Sequence, residues 1–269
     1  MSFLIYPTPK MMPMQGMIGM GGGATSLFSK PPASGSTEGG DYSIYFNGTT
    51  SKSFITCADD DAFAAGTGDF SVECWLKAEQ YSHYLNFVNT RDAGGTAAGW
   101  TFSVESNGTL GFYSNGHTYS AAGSVSDNTW THVITTRQGT TLRLMQDGVL
   151  KSNTTNSQNF SNGLWTIGIN CSGDDSSGAA GWYRGYMSQV RYVVGSVPSD
   201  YQTSSTTDGT TIFSVPTSPL TTSSEGCTSD DVVFLGCNCA SVDDYTVAAS
   251  EYTVGGHTSN PTDGHDGPF

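Results

Sequence analysis

At 269 residues with a net charge of −14, the chain is long enough for one large domain or two small ones, and its acidity repels nucleic-acid phosphates and anionic membranes. Gly, Ser, Thr and Asn abound while Lys, Arg and Glu are scarce, a balance that suits strands and polar turns and excludes helix bundles. No apolar run is long enough to span a bilayer, so neither nucleic acid nor membrane insertion is expected.

Residues 1–40 hold six of the eight methionines, many glycines, and no period of two or 3.6. Such a segment buries no stripe of its own. Phe3, Leu4, Ile5, Tyr6, Met11, Met12 and Met14 are nevertheless too apolar for an idle linker. Met-rich surface adapts to a partner, so 1–40 reads as an extended anchoring arm that orders on an assembly. It carries Lys10 and no continuous apolar core ahead of a small-residue cleavage site, so no export signal is expected.

Strand patterns fill residues 41–195. Residues 42–57 read as a strand, an Asn47-Gly48 turn and a second strand, and Phe70, Val72, Cys74 and Leu76 alternate against Ser71, Glu73, Trp75 and Lys77. Runs at 84–90, 99–106, 109–116, 164–170 and 184–194 follow, with Asn107-Gly108 as a further turn. The clearest hairpin is 130–149. One strand alternates Trp130, His132 and Ile134, Arg137 to Gly139 turn the chain, and Leu142, Leu144 and Gln146 lead to Asp147-Gly148, which supplies the positive φ of a tight turn. Many short strands between Gly and Asn turns predict an all-β, two-sheet antiparallel jelly-roll sandwich.

Five motifs in order carry a resemblance over about 150 residues: Phe70–Trp75, Trp130–Val133, Asp147-Gly148, Trp165–Gly168 and Gly185–Arg191. Together they resemble laminin G-like, concanavalin A-like jelly-roll domains, with Ser188-Gln189 where the family pattern has two Asp. That fold is far more often a sugar-binding and adhesion scaffold than an enzyme. Within it, Trp130 and His132 are expected to hold the two sheets together, His132 as a hydrogen-bonder.

Residues 196–269 are Ser/Thr-rich. Pro216–Leu220, Val232–Cys239 and Gly267–Phe269 resemble the tail of laminin G-like structural proteins in bacteriophages of marine cyanobacteria. No apolar strand precedes Tyr42, so a strand at about 231–236 is expected to return, fill that place and complete the sandwich as part of a C-terminal wrapping segment. The resemblance implies a virion structural protein, a capsid decoration or tail-fibre component. It would be assembled in the host cytoplasm as a homo-oligomer, with the arm on other virion proteins and a host-surface glycan as a further partner.

Chemistry is sparse. Glucanases of this fold use two carboxylates on one strand, spaced Glu-x-Asp-x-x-Glu, and no such string occurs, so no enzyme and no catalytic residue are expected. Sugar binding would use exposed aromatics, for which Trp100, Tyr113, Tyr119, Trp182 and Tyr183 are the candidates. Calcium is the one candidate cofactor, with Asp92, Asp174 and Asp175 as loop ligands and Asp59–Asp61 a further acidic loop. The six cysteines read as free thiols, with a bridge among Cys57, Cys227 and Cys239 left open.

Overall fold

Alternating apolar residues bounded by Gly, Asn and Asp turns become strands, and a computed structural model shows them stacked as two antiparallel sheets. It describes residues 40–48, 53–57, 59–79, 84–91, 98–120, 123–169, 181–238, 246–247, 252–255 and 262–269. In chain order the strands are β1 (Tyr42–Phe46), β2 (Phe54–Cys57), β3 (Phe70–Ala78), β4 (Leu85–Asn89), β5 (Thr101–Val104) and β6 (Leu110–Tyr113). Next come β7 (His117–Tyr119), β8 (Thr131–Gln138), β9 (Thr141–Gln146), β10 (Val149–Thr155) and β11 (Trp165–Ile167). The set ends with β12 (Gly185–Val194), β13 (Val232–Gly236), β14 (Thr246–Val247), β15 (Tyr252–Gly255) and β16 (Thr262–Asp266). Among the described residues the helical pieces are short 3-10 turns, and no helix is long and apolar enough to cross a membrane.

One sheet runs β10-β9-β8-β3-β12-β1-β16, with β13 on β12 and β14 on β13; the other runs β15-β2-β11-β4-β5-β6-β7. Between them lies one apolar core. Phe63 and Tyr192 both lie parallel to Trp165, at centroid distances of 5.9 and 4.7 Å, and to each other at 6.5 Å, while Trp100 packs against Phe70 and Phe112 at 5.8 and 5.4 Å. Ring pairs of this kind add to the large area each aromatic buries.

The hairpin turns follow from their residues. Between β9 and β10, Asp147 and Gly148 have φ of 49° and 77°, the two positive values a type I′ turn needs. The Asp147 carboxylate also accepts from the His132 amide at 3.0 Å. Between β8 and β9 the turn is Gly139-Thr140, with Gly139 at φ 58°. Arg137, placed in this turn on sequence, instead lies inside β8 and is fully buried. Its guanidinium donates to the carbonyls of Gly66, Gly68 and Gln158 at 2.7–2.9 Å and lies over the Phe70 and Phe160 rings. It ties irregular backbone to the sandwich edge.

The nine-stranded sheet is buried on both faces over much of its area. Inward, Phe70, Val72, Cys74 and Leu76 of β3 face the core. Outward, Ile134, Met145 and Leu150 are covered by Val197, Tyr201 and Phe213. Val193 and Leu235 are covered by Leu220 and Cys227 in the same way. Each such side chain contributes roughly 1.5–3 kcal/mol relative to exposure. The stretch between β12 and β13 is therefore a third layer of irregular chain.

β13 returns to β12, pairing Val190 with Gly236 and Arg191 with Leu235, while β1 pairs with the other half of β12 from Gly185 to Met187. Both strands lie antiparallel to β12 along one edge, so β13 stands where a strand ahead of β1 would be. β16 then covers β1, and β15 covers β2. Cys57, Cys74, Cys227 and Cys237 are buried free thiols, and Cys171 and Cys239 lie outside the described residues. The anchoring-arm residues 1–39 lie outside them as well.

Candidate functional site

The β3 alternation that sends Val72 and Cys74 inward sends Glu73 outward, beneath the irregular third layer, where it is fully buried. Arg191 on β12 donates through Nε to Glu73 Oε1 at 2.7 Å, and its Nη2 stands 2.6 Å from the same oxygen. Tyr201 donates to Glu73 Oε2 at 2.7 Å, and His132 Nε2 lies 3.2 Å from that oxygen. An ionised carboxylate only accepts, so the shared proton sits on Nε2. Burial alone pushes the Glu73 carboxyl up, but the Arg191 charge and the His132 and Tyr201 hydrogen bonds outweigh it and hold Glu73 below the usual carboxylate range. Arg191 Nη1 donates on to the carbonyls of Thr221 and Ser224, pinning the covering segment. His132 is a structural hydrogen-bonder, as expected. Neither it nor Trp130 lies between the sheets, however: both are on the outward side of β8, opposite the face carrying Val133.

The exposed chemistry lies on the outer side of the seven-stranded sheet. Here Asn86, Ser103, Gly111 and Tyr119 pair in register across β4–β7. Gly111 leaves a gap that Tyr119 fills: a Cβ there would lie 3.1 Å from both Cδ1 and Cε1 of the Tyr119 ring. One ring face rests on the β6 backbone while the side chain stays 40% exposed. Tyr113 is on the same side, a diagonal neighbour at about 7–8 Å along adjacent strands. The Arg91 guanidinium sits 4.5 Å from the Tyr113 ring centroid. On the same face, beside Tyr113, Asn89, Thr101 and Thr166 cross-bond at 2.8–3.1 Å, which stiffens the platform.

At the end of β5, Glu105 and the 48% exposed Tyr84 complete the group. Burial pushes the Glu105 carboxyl up to about 7. Tyr119 is raised to about 12, first by burial, then by the Glu105 charge and Tyr84, which places all three in one electrostatic neighbourhood. Because the folded Glu105 carboxyl titrates above its ordinary 4.5, the folded chain holds the proton more tightly, and the resulting stability is lost as pH rises from 4.5 through about 7. Glu105→Gln is therefore expected to raise the melting temperature at pH 8 and leave it unchanged at pH 4, as read by thermal melts at both values. An equal shift at both would remove burial as the cause.

Of the five aromatics proposed for sugar, the structure brings Tyr113 and Tyr119 together. Trp100 and Tyr183 are fully buried and Trp182 is 9% exposed, so these three are packing residues. Gly99, just ahead of Trp100, marks a close backbone approach, since a Cβ there would come within 2.6 Å of the Thr90 carbonyl oxygen. Asp92, Asp174 and Asp175 lie outside the described residues. Asp60 of the further acidic loop caps a 3-10 turn through the Ala62 amide at 2.9 Å. Among the described residues, no three His, Cys, Asp or Glu side chains converge on a metal position. Sequence reasoning passed over Tyr84 and treated Glu105 only as an isolated carboxylate; the shared outward parity of Tyr84 with Asn86, and of Glu105 with Ser103, was the available signal.

A family model described as the concanavalin A-like lectin/glucanases superfamily matches residues 47–194. The chain belongs to this superfamily. A candidate carbohydrate-binding protein from Bacteroides ovatus superposes at TM-score 0.55 and 12% identity, over 86% of this chain and 62% of that one. This lectin/glucanase-superfamily chain thus spans less than two thirds of that relative. The heptameric SAP-like pentraxin of Limulus polyphemus aligns at TM-score 0.42 and 16% identity, over 56% of this chain and 75% of that chain. Domains LG4-5 of the mouse laminin alpha1 chain align at 0.44 and 13%, over 57% and 41%. At these identities the likeness concerns fold alone. No curated protein sequence matches.

Proposed function

We propose that this chain is a non-enzymatic carbohydrate-binding module that attaches a larger assembly to surface glycans. Tyr119 carries the reading: its ring lies on Gly111, is 40% exposed, and has Glu105, Tyr84 and Tyr113 around it. A flat ring takes the C–H face of a pyranose, and a carboxyl at its edge bonds the hydroxyls. Glu73 offers no catalytic alternative, since it is buried and occupied by Arg191, His132 and Tyr201. Glycan-array binding by the full chain, and its loss by tenfold or more in Tyr119→Ala (about 1.4 kcal/mol), is the expected result. An array that stays blank at millimolar sugar, or a variant that binds as tightly as wild type, defeats the proposal.

The assembly we propose is a phage particle. The resemblance of Pro216–Leu220, Val232–Cys239 and Gly267–Phe269 to phage structural proteins favours it, as does an apolar, Met-rich stretch at 1–40 suited to docking on other virion proteins. The module would be displayed as a homo-oligomer, closed symmetry being the common solution. Locating the chain in an electron-microscopy map of the particle tests this; a particle without it refutes the reading.

A further inference from the structure

The irregular third layer covers only part of the nine-stranded sheet. Beyond Trp75, one row across the outer face stays half-exposed. Tyr45 on β1 pairs with Tyr186 on β12, and Tyr186 pairs with Lys77 on β3. Leu76 pairs with Thr131, which sets Trp130 beside Lys77 just ahead of β8. His265 on β16 closes the far end, its ring 5.2 Å from Tyr186 and 6.4 Å from Tyr45. Tyr45 and Trp130 lie 4.9 and 6.5 Å from Tyr186. The rings draw together over the strands that carry them: Tyr45, Tyr186 and His265 form one group, with Trp130 on its β8 side.

We propose that this row is a second glycan-binding surface, whose ligand is an extended polysaccharide chain bearing carboxylates. The proposal shares its ligand class with the reading for Tyr119 but uses the opposite sheet. The rings stand tilted or edge-on to one another at 54–81°, a contoured aromatic patch against which sugar rings of a polysaccharide can pack, with Lys77 in register between Tyr186 and Trp130. A protein partner fits less well, because charged residues are depleted from the centres of protein interfaces and here Lys77 sits mid-row. Charge selects the kind of glycan. Glu79 lies 3.5 Å from Arg184 Nε and accepts from the Tyr45 hydroxyl at 3.2 Å, so that pair is internally neutral. The Lys77 ammonium stands 5.4 Å from the Tyr186 ring centroid, and among the described residues no carboxylate forms an ion pair with it. The row thus presents a cation on a chain of net charge −14. At physiological salt, screening over about 8 Å limits the repulsion from distant acidic residues.

The test is affinity electrophoresis of the full chain in native gels holding polygalacturonate, alginate or neutral dextran. The acidic polymers are expected to retard the protein and dextran to leave it unmoved. Lys77→Met, which keeps the apolar stem, and Trp130→Ala should each weaken the apparent affinity for the acidic polymers at least tenfold, with wild-type melting confirming the fold. Absence of retardation by both acidic polymers overturns the proposal, as does equal retardation of Lys77→Met and wild type. Tyr119→Ala separates the two surfaces. If it abolishes retardation while Lys77→Met does not, the row fails and the Tyr119 reading stands; if array binding depends on Tyr119 and retardation on Lys77, both hold.

Discussion

Glu73→Ala is expected to cost about 3–5 kcal/mol of folding stability, the range for breaking a buried ion pair from one side. The loss comes less from the attraction removed than from the Arg191 guanidinium left behind, fully buried without its carboxylate. In a chain of this size roughly 2–4 °C of melting temperature accompanies each kcal/mol, so a drop of about 10 °C is the central expectation. The double variant Glu73→Leu with Arg191→Met is expected to recover much of it, because apolar side chains of similar volume escape the desolvation cost. Chemical denaturation of wild type, the single and the double variants measures both effects; a single variant as stable as wild type would mean the pair is not sealed beneath Thr221 and Ser224. The pH dependence has a definite sign. Glu73 titrates below its ordinary value of 4.5 in the folded chain, so the unfolded chain binds the proton more tightly. Its contribution is full above about 4.5 and drains away as pH falls through the folded value. Glu105 works the other way, its contribution fading between 4.5 and about 7, so acid and mild base weaken the domain through different carboxyls.

Deleting residues 225–269 is expected to abolish cooperative melting and drive the remaining chain into aggregates, read by thermal denaturation and size-exclusion chromatography. The deletion removes β13, whose residues are all buried, and with it Phe234, which packs 5.5 Å from Trp165 in the main core. It strips Leu220 of the Val232 and Leu235 side chains that share its cluster. It also bares backbone edges on β12, β1 and β2 at once, through the loss of β13, β16 and β15. Open edges recruit other chains, so aggregation is expected alongside instability. A truncated chain that melts as wild type does would show that these strands only decorate a complete sandwich.

The hairpin at 130–149 was legible because its information is local: alternation set the faces, and Asp147-Gly148 set the turn. Its first turn misled, since Arg137, Gln138 and Gly139 look solvent-facing on sequence. A guanidinium satisfied by backbone carbonyls 69 and 71 residues away has no local signature. The buried group around Glu73 was illegible for a related reason. Alternation sets Glu73 opposite the core residues of β3, but the chain that dries that face, from Val197 to Cys227, has no period by which to announce that it packs. The aromatic candidates divided on the same principle. Tyr113 and Tyr119 stand on the outward side of their sheet with Gly111, whereas Trp100, Trp182 and Tyr183 are buried.

The last strand has a consequence for how the protein is made. β1, near the start of the domain, receives β16 as its edge partner, and the Ser43 hydroxyl meets the Asp266 carbonyl across 223 residues of sequence. Its other neighbour, β12, is complete once Val194 has been synthesised. At ~5–20 residues per second, several seconds separate the appearance of β12 from that of β16. Over that interval a nascent chain holds its first strand with one side unpaired, and neighbouring copies on one message are close enough to pair with it. Contacts so distant in sequence also slow folding after release. Synthesis rate and spacing on the message, more than final stability, are then expected to govern the yield of correctly closed domains.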